Sequence, residues 1–379
     1  MRIQDLIGGT LGFALAAACL AAAPARAAPP APSAVEETGA GDAAPPTDVF
    51  VLGDSLSDIG NAAALADYVL GEPLYPAATV GLCNPMDIFV LHRNCDALIY
   101  GKSRATNGPV AVELLEEGLG LPPLEPSYHT VPDRPAHGTD YAVAGATARG
   151  AGVDDLATQV EILRVDRGPV LPDGALYVVM IGGNDGLAAL RSAGEARVGI
   201  SPSEGSDEIV AAAVAAIGDA VEALVDAGAR RLVVTNLPNL AAVPIVGERA
   251  RSLGLDEAEA RSLAADVTGT FNTALAARLA AAQTAHPEAR IEPFDLYDVL
   301  ERIRAADAAA GVDVTDACFD SEAYRTSILA ERRFNPACAP DADGGAPRFD
   351  AFFFWDGLHP TASVHAALAD ALLAFYRGS

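Results

Sequence analysis

Residues 49–61 read VFVLGDSLSDIGN: four apolar residues, a glycine, then a polar turn with two serines and two aspartates. An unbroken apolar run of this length is the pattern of a strand buried on both faces of a parallel sheet. The turn that follows is ordinary in composition, because Gly, Asp and Ser favour turns for backbone reasons alone. Taken by itself, Ser55 is a turn serine. Its position relative to other strands decides whether it is more.

Four further apolar runs resemble the first. The five expected strands are Asp48–Leu52, Thr139–Val143, Ala175–Ile181, Arg231–Thr235 and Arg290–Pro293. Helical patterns lie between them: Ser206–Ala227 with Gly228 as its stop, Leu255–Ala285, and Thr361–Tyr376 after Pro360. Strand alternating with helix predicts a doubly wound α/β sheet. Ligands of such sheets bind beyond the carboxyl ends of the strands, where the strand order reverses. Ser55 follows the first strand, Ala144-Gly145 the second, and GGND, residues 182–185, the third. In a 2-1-3-4-5 order these three turns are neighbours on one rim.

A fourth element comes near the C-terminus, FFFWDGLHPT at 352–361. A tight turn through Gly357 brings the Asp356 carboxylate to Nδ1 of His359 and leaves Nε2 to face a hydroxyl. That is the logic of a nucleophile, a base and an orienting carboxylate. The dipole of the helix after His359 is expected to keep the resting imidazole neutral. Asp54, Asp58 and Asn61 are read as braces of the Ser55 turn, and Asp185 as a hydrogen-bonding residue local to its loop. His92, His129 and His137 read as loop or surface histidines, His286 as a helix stop, and His365 as a residue of the last helix. DADGG at 341–345 lacks the spaced acids of a calcium loop and reads as a surface turn.

Together these blocks resemble the GDSL, or SGNH, hydrolase family: GDSLSD at 53–58, TDYAVAGATA at 139–148, GGND at 182–185 and DGLHP at 356–360, in the family's order. RATNGPVAVELL at 104–115 is similar to a further stretch of the branch holding secreted lipases, lecithinase-like enzymes and autotransporter esterases. The resemblance implies a flavodoxin-like, three-layer α/β/α fold with a mostly parallel five-stranded sheet. It implies Ser55 as nucleophile, His359 as general base and Asp356 as its partner. It also implies an oxyanion hole made of the Ser55 and Gly145 backbone N–H groups and the Asn184 side-chain amide. Two positions depart from the family's usual pattern, Asp140 where Asn is common and Ala144 where Gly is common. No metal or organic cofactor is implied.

The start of the chain reads as a secretory signal. Arg2 precedes the apolar stretch Ile7–Ala23, and Ala25-Arg26-Ala27 offers a cleavage site, giving a signal peptide 1–27, a flexible leader 28–47 and one hydrolase domain 48–379. Export leaves Cys83, Cys95, Cys318 and Cys338 in an oxidising compartment. Three pairings are possible; the two local ones, Cys83–Cys95 and Cys318–Cys338, are expected. All four lie in the irregular segments 71–103 and 307–350, which are expected to be disulfide-tethered insertions around the site. A net charge of −26 argues against nucleic acid and anionic membrane as partners. The expected protein is a free, monomeric, exported esterase with no membrane-spanning segment in the mature chain. Its substrate is a small-molecule or lipid ester with a medium-chain acyl group.

Rival readings are a carbohydrate acetyl esterase or phospholipase of the same family and a catalytically silent surface binding protein. A nucleotide-dependent oxidoreductase is a further rival, but AVAGATARG lacks G-x-G-x-x-G. The aromatic run Phe352–Trp355 is expected either to line an acyl groove or to be core.

Overall fold

The opening stretch forms β1, Val49–Gly53, with every residue buried. A computed structural model describes residues 45–70, 104–131, 138–319, 335–338 and 348–378 of the chain. Three more strands extend from one side of β1: β2 (Leu176–Met180), β3 (Arg231–Thr235) and β4 (Arg290–Phe294). They lie in the order β1-β2-β3-β4, all parallel, with Val51 opposite Val178, Val178 opposite Val233 and Val233 opposite Glu292.

The expected strand Thr139–Val143 runs along the other edge of β1. Val51 N donates to Thr139 O at 3.0 Å, Tyr141 N to Val51 O at 2.8 Å and Val143 N to Gly53 O at 3.1 Å. The 2-1-3-4-5 order is therefore present, although this edge segment is irregular. Its outer side is held by Glu125–Ser127, and the Asp140 carboxylate turns back onto Ala142 N at 2.9 Å.

Helices join the strands: α1 (Asn61–Leu70), α2 (Ala111–Leu119), α3 (Leu156–Arg167), α4 (Gly183–Arg197), α5 (Ser206–Asp226), α6 (Pro244–Leu253), α7 (Glu257–Ala285), α8 (Leu296–Ala309) and α9 (Ala362–Gly378). They pack as two groups, α3 to α7 with one another and α2 and α8 on α9, giving the three-layer α/β/α arrangement. The α5 sequence shows why. Ile209, Val210, Ala213, Val214, Ile217, Val221, Leu224 and Val225 recur at helical spacing and are all buried. Helices on both faces are what allow the strands to be continuously apolar.

The segment 307–350 is less irregular than its sequence reads. It opens inside α8 and contains β5 (Asp313–Ala317), which pairs in parallel with β6 (Phe352–Phe354). No residue of β5 is fully buried, so no apolar run announced it; the pairing comes from tertiary contact. Beside this sheet, Cys318 and Cys338 form the expected disulfide and pack with Phe319, Phe352 and Trp355 in a cluster separate from the main core. Cys83 and Cys95 lie outside the described residues, as do residues 1–44, His92, His137 and 341–345.

The Cys318–Cys338 bridge spans 20 residues, and a loop of that length is worth ~3 kcal/mol on the chain-entropy view. The Cys318→Ser, Cys338→Ser double variant should be less stable than wild type by about that amount and unfold at a lower denaturant midpoint. An unchanged midpoint would mean that the buried aromatic cluster holds the segment without the bridge.

Candidate active site

The turn after β1 is shaped by packing before it is shaped by chemistry. A Cβ on Gly53 would stand 2.4 Å from Met180 O, so only glycine lets β1 end this close to β2. The buried Gln159 side chain closes on the same residue, accepting from Gly53 N and donating to Gly53 O, both at 2.8 Å. Asp54 Oδ1 accepts from Leu56 N at 3.2 Å. Asp58 accepts from Gly60 N and Asn61 N at 2.7 Å each, from Ala62 N at 3.1 Å, and across the rim from Ala144 N at 2.8 Å. Asn61 Nδ2 donates to Asp140 O and Ala142 O, both at 2.9 Å. The expected braces are in place, and two of them tie the Ser55 turn to the neighbouring loop.

Ser55 is held over the C-terminal turn. Its Oγ lies 2.8 Å from His359 Nε2, across 304 residues of sequence. His359 Nδ1 is 2.9 Å from each Asp356 carboxylate oxygen. The Asp356 Oδ1 also accepts from Leu358 N and His359 N at 2.8 Å each, so one carboxylate shapes the turn and orients the ring. Ile245 N donates to Gly357 O at 3.0 Å, anchoring the turn to α6.

The segment 104–115 explains itself here. Thr106 Oγ1 donates to Pro360 O, and Asn107 Oδ1 accepts from Ala362 N, both at 2.8 Å, so the block clasps the His359 turn where it enters α9. His365, on α9, is buried and accepts from Ala111 N at 3.2 Å. Neither it nor His129, bonded through Nδ1 to Ser127 Oγ at 2.7 Å, reaches the site. His286 closes α7, as its place before Pro287 predicts.

Asn184 opens α4 just past β2, and one of its amide hydrogens goes to Ala146 O at 2.8 Å. Asp185 is not local to its loop: it reaches over to accept from Ala148 N at 2.7 Å. Gly145 has φ +93°, a left-handed conformation that glycine adopts without strain, so the departure at Ala144 leaves the special backbone position intact. Both Asp140 oxygens accept backbone N–H bonds, from Ile59 at 3.0 Å and Ala142 at 2.9 Å. An Asn amide could supply only one of those acceptors.

Ser55, His359 and Asn184 open on a cleft of about 740 Å³, counting the solvent at its mouth, whose walls are mostly apolar, including Leu56, Leu187, Leu240, Val243, Leu300 and Phe353. The aromatic run divides: Phe353 and Phe354 line the cleft, whereas Phe352 and Trp355 belong to the disulfide cluster. Gly145 is not among the lining residues. Among the described residues no group of His, Cys, Asp and Glu is arranged to hold a metal ion.

The family model for GDSL-like lipase/acylhydrolase matches residues 49–372. The chain belongs to this family. A GDSL esterase/lipase of Arabidopsis thaliana is 26% identical over 291 residues, 71% of this chain and 79% of its own. Two others from the same plant, each also named GDSL esterase/lipase, are 23% identical across 86% of this chain and 93% and 89% of theirs. This GDSL protein is thus an ester hydrolase.

Several carboxyls lie buried around its site. Burial pushes Asp54 up to about 6 against the stabilising N–H groups of Leu56 and Gly183. Burial also raises Asp58, Asp140 and Asp185, and Asp58 adds to the effect on Asp140. For His359, burial works against the imidazolium, but Asp356 and then Asp54 outweigh it and the pKa is raised. The helix dipole, expected to help keep the imidazole neutral, is outweighed by these two carboxylates. Burial likewise opposes ionisation of Asp356, yet His359 and two backbone N–H groups leave its pKa lowered.

Asp54 and Gln159 carried no signal that sequence patterning could separate from an ordinary turn acid and a polar helix residue. A carboxyl raised by folding binds its proton more tightly in the native chain. Its stabilising contribution is full below the unfolded value and is lost as pH rises through the folded one. Asp54 does this between 3.8 and about 6, and Glu116 between 4.5 and about 7. His359, also raised, has the same sign above 6.5; Asp356 opposes only below 3.8. Calorimetry should therefore show the melting temperature falling from pH 4 to pH 7, with Asp54 alone accounting for ~3 kcal/mol. A melting temperature that rises over this interval would contradict the assignment.

Proposed function

We propose that this protein is an exported serine esterase acting on lipid or medium-chain acyl esters through an acyl-enzyme on Ser55. The observation that carries the reading is the 2.8 Å contact of Ser55 Oγ with an imidazole that Asp356 orients, at the edge of an apolar cleft. Ser55 Oγ attacks the ester carbonyl carbon while His359 Nε2 takes its proton. The carbonyl electron pair moves onto oxygen, where the Ser55 and Gly145 N–H groups and the second amide hydrogen of Asn184 receive it. Collapse breaks the bond to the alcohol, whose oxygen takes the proton from His359. Water then repeats the cycle on the acyl-enzyme, releasing the acid and restoring Ser55.

The apolar walls favour an acyl chain over a sugar, since each buried methylene is worth ~0.8 kcal/mol. Export, with a signal peptide 1–27 and a monomeric mature domain, is supported by the A-x-A pattern and by the Cys318–Cys338 bridge. Among the described residues no helix is long and apolar enough to cross a membrane.

Ser55→Ala should abolish hydrolysis of p-nitrophenyl butyrate while leaving the melting temperature near wild type, and His359→Ala should be about as damaging. Asn184→Ala should lower kcat by ~10²–10³ with a smaller change in KM. Retention of more than a few per cent of activity by Ser55→Ala would sink the nucleophile assignment; an unchanged kcat in Asn184→Ala would remove that residue from the oxyanion hole.

The base must be neutral to act, and the pKa of His359 is raised. The acid limb of kcat/KM is thus expected above pH 6.5, moving to lower pH in Asp54→Asn. Across acyl lengths, kcat/KM should climb from acetyl to hexanoyl esters. A sharp maximum at acetyl with efficient deacetylation of sugars would favour the carbohydrate esterase instead.

A further inference from the structure

A second, partly open pocket, of about 490 Å³ counting the solvent at its mouth, lies next to the catalytic cleft, and Leu187 lines both. The two follow one track. On α4, Asn184 and Leu187 face the cleft, while Leu187, Leu190, Arg191 and Gly194 face the second cavity. Spacings of three, four and seven put those last residues on a single helix face. On α6 the same succession holds: Val243, just before its first turn, lines the cleft, and Ile245, Val246, Arg249 and Ala250 line the cavity beyond. Leu255, Ala260 and Leu263 complete the lining. The two pockets thus adjoin at Leu187, and along α4 their linings span Asn184 to Gly194, about 15 Å at the helical rise.

We propose that the second cavity is the distal binding site for the acyl chain of long-chain substrates, with Leu187 as the partition that sets the preferred length. This rests on the esterase reading above. The occupant follows from the position and chemistry of the space. It begins where an acyl chain bonded to Ser55 would reach Leu187, and it offers no acidic side chain. The two arginines can lay their aliphatic stems along it with the charge outward; the Arg191 side chain is 67% exposed. A sugar or a phosphorylated headgroup would find few hydrogen-bonding partners there, whereas a methylene chain leaves no polar group unpaired.

If the chain runs this way, a dodecanoyl ester reaches the second pocket and a butyryl ester does not, so variants there should act on one and not the other. Leu263→Trp fills the cavity from α7. Its dodecanoyl-to-butyryl ratio of kcat/KM should fall at least tenfold, since each methylene refused a buried place costs roughly fourfold. Leu187→Ala opens the partition and should raise the same ratio, and it keeps the test decisive should Leu263→Trp fold poorly. Dodecanoate should inhibit butyryl ester hydrolysis competitively in wild type and about tenfold more weakly in Leu263→Trp. Ratios and inhibition unchanged in both variants, with butyryl ester hydrolysis intact in wild type, would overturn the distal site and leave the esterase reading standing. A wild-type enzyme that hydrolyses neither ester would overturn both.

Discussion

The Asp58 carboxylate, buried and receiving four backbone N–H groups, is the contact on which the site depends. Three of those donors belong to the turn that starts α1, and the fourth, Ala144 N, belongs to the loop carrying Gly145. Each is a charge-assisted bond, stronger than a neutral one in a low-dielectric interior. Asn61 repeats the tie one layer down by bonding two carbonyls of the same edge segment. Thr139–Val143 meets β1 in a short ladder whose bridge to Val51 is at Asp140, and the side-chain ties reinforce it. The loop that follows it is thereby set at a fixed distance from Ser55. A parallel sheet supplies the rim; these buried polar groups set the register of one rim loop on the next.

The other half of the site arrives from the far end of the chain. Loop closure over 304 residues costs conformational entropy once, and the cost grows only slowly with length. What has to be controlled is orientation. The His359 turn is gripped from three directions: Asp356 from within, Ile245 from α6, and Thr106 and Asn107 from the segment before α2. Each gripping group is a backbone amide or a short side chain with few rotamers, so little freedom remains to the imidazole.

Strand order and the rim positions of Ser55, Asn184 and His359 were legible because they depend on local pattern: apolar runs, turn residues and a helix start after Pro360. The edge segment Thr139–Val143 lies where its apolar pattern puts it and bonds β1, but its outer side is irregular because the Asp140 carboxylate takes Ala142 N. β5 was invisible, since its residues are half exposed and its partner lies 39 residues away in sequence, from Asp313 to Phe352. The division of Phe352–Trp355 between cleft and disulfide cluster follows strand alternation only in part. It also depends on where Cys318 is brought by β5, which no single-sequence pattern fixes. Asp185 was misjudged for the same reason: a carboxylate at a helix start satisfies local donors unless another loop comes within reach, and Ala148 does.

The buried carboxyls around the Ser55 turn carry a cost that the fold tolerates because of where they sit. Asp54, Asp58, Asp140 and Asp185 are each at most 2% exposed, and burial disfavours ionisation of every one. Apolar replacements would remove that penalty but would leave the N–H groups of Leu56, Ile59, Gly60, Ala144 and Ala148 without acceptors, at ~1–3 kcal/mol each. The field of these acids has a second consequence. The Asp54 charge stabilises the protonated form of the imidazole alongside Asp356. An imidazolium is the species generated when a serine hydroxyl gives up its proton. The same charges that destabilise the resting fold towards neutral pH therefore stabilise the protonated base that the proposed reaction must pass through. Stability and chemistry here draw on one set of carboxylates with opposite sign.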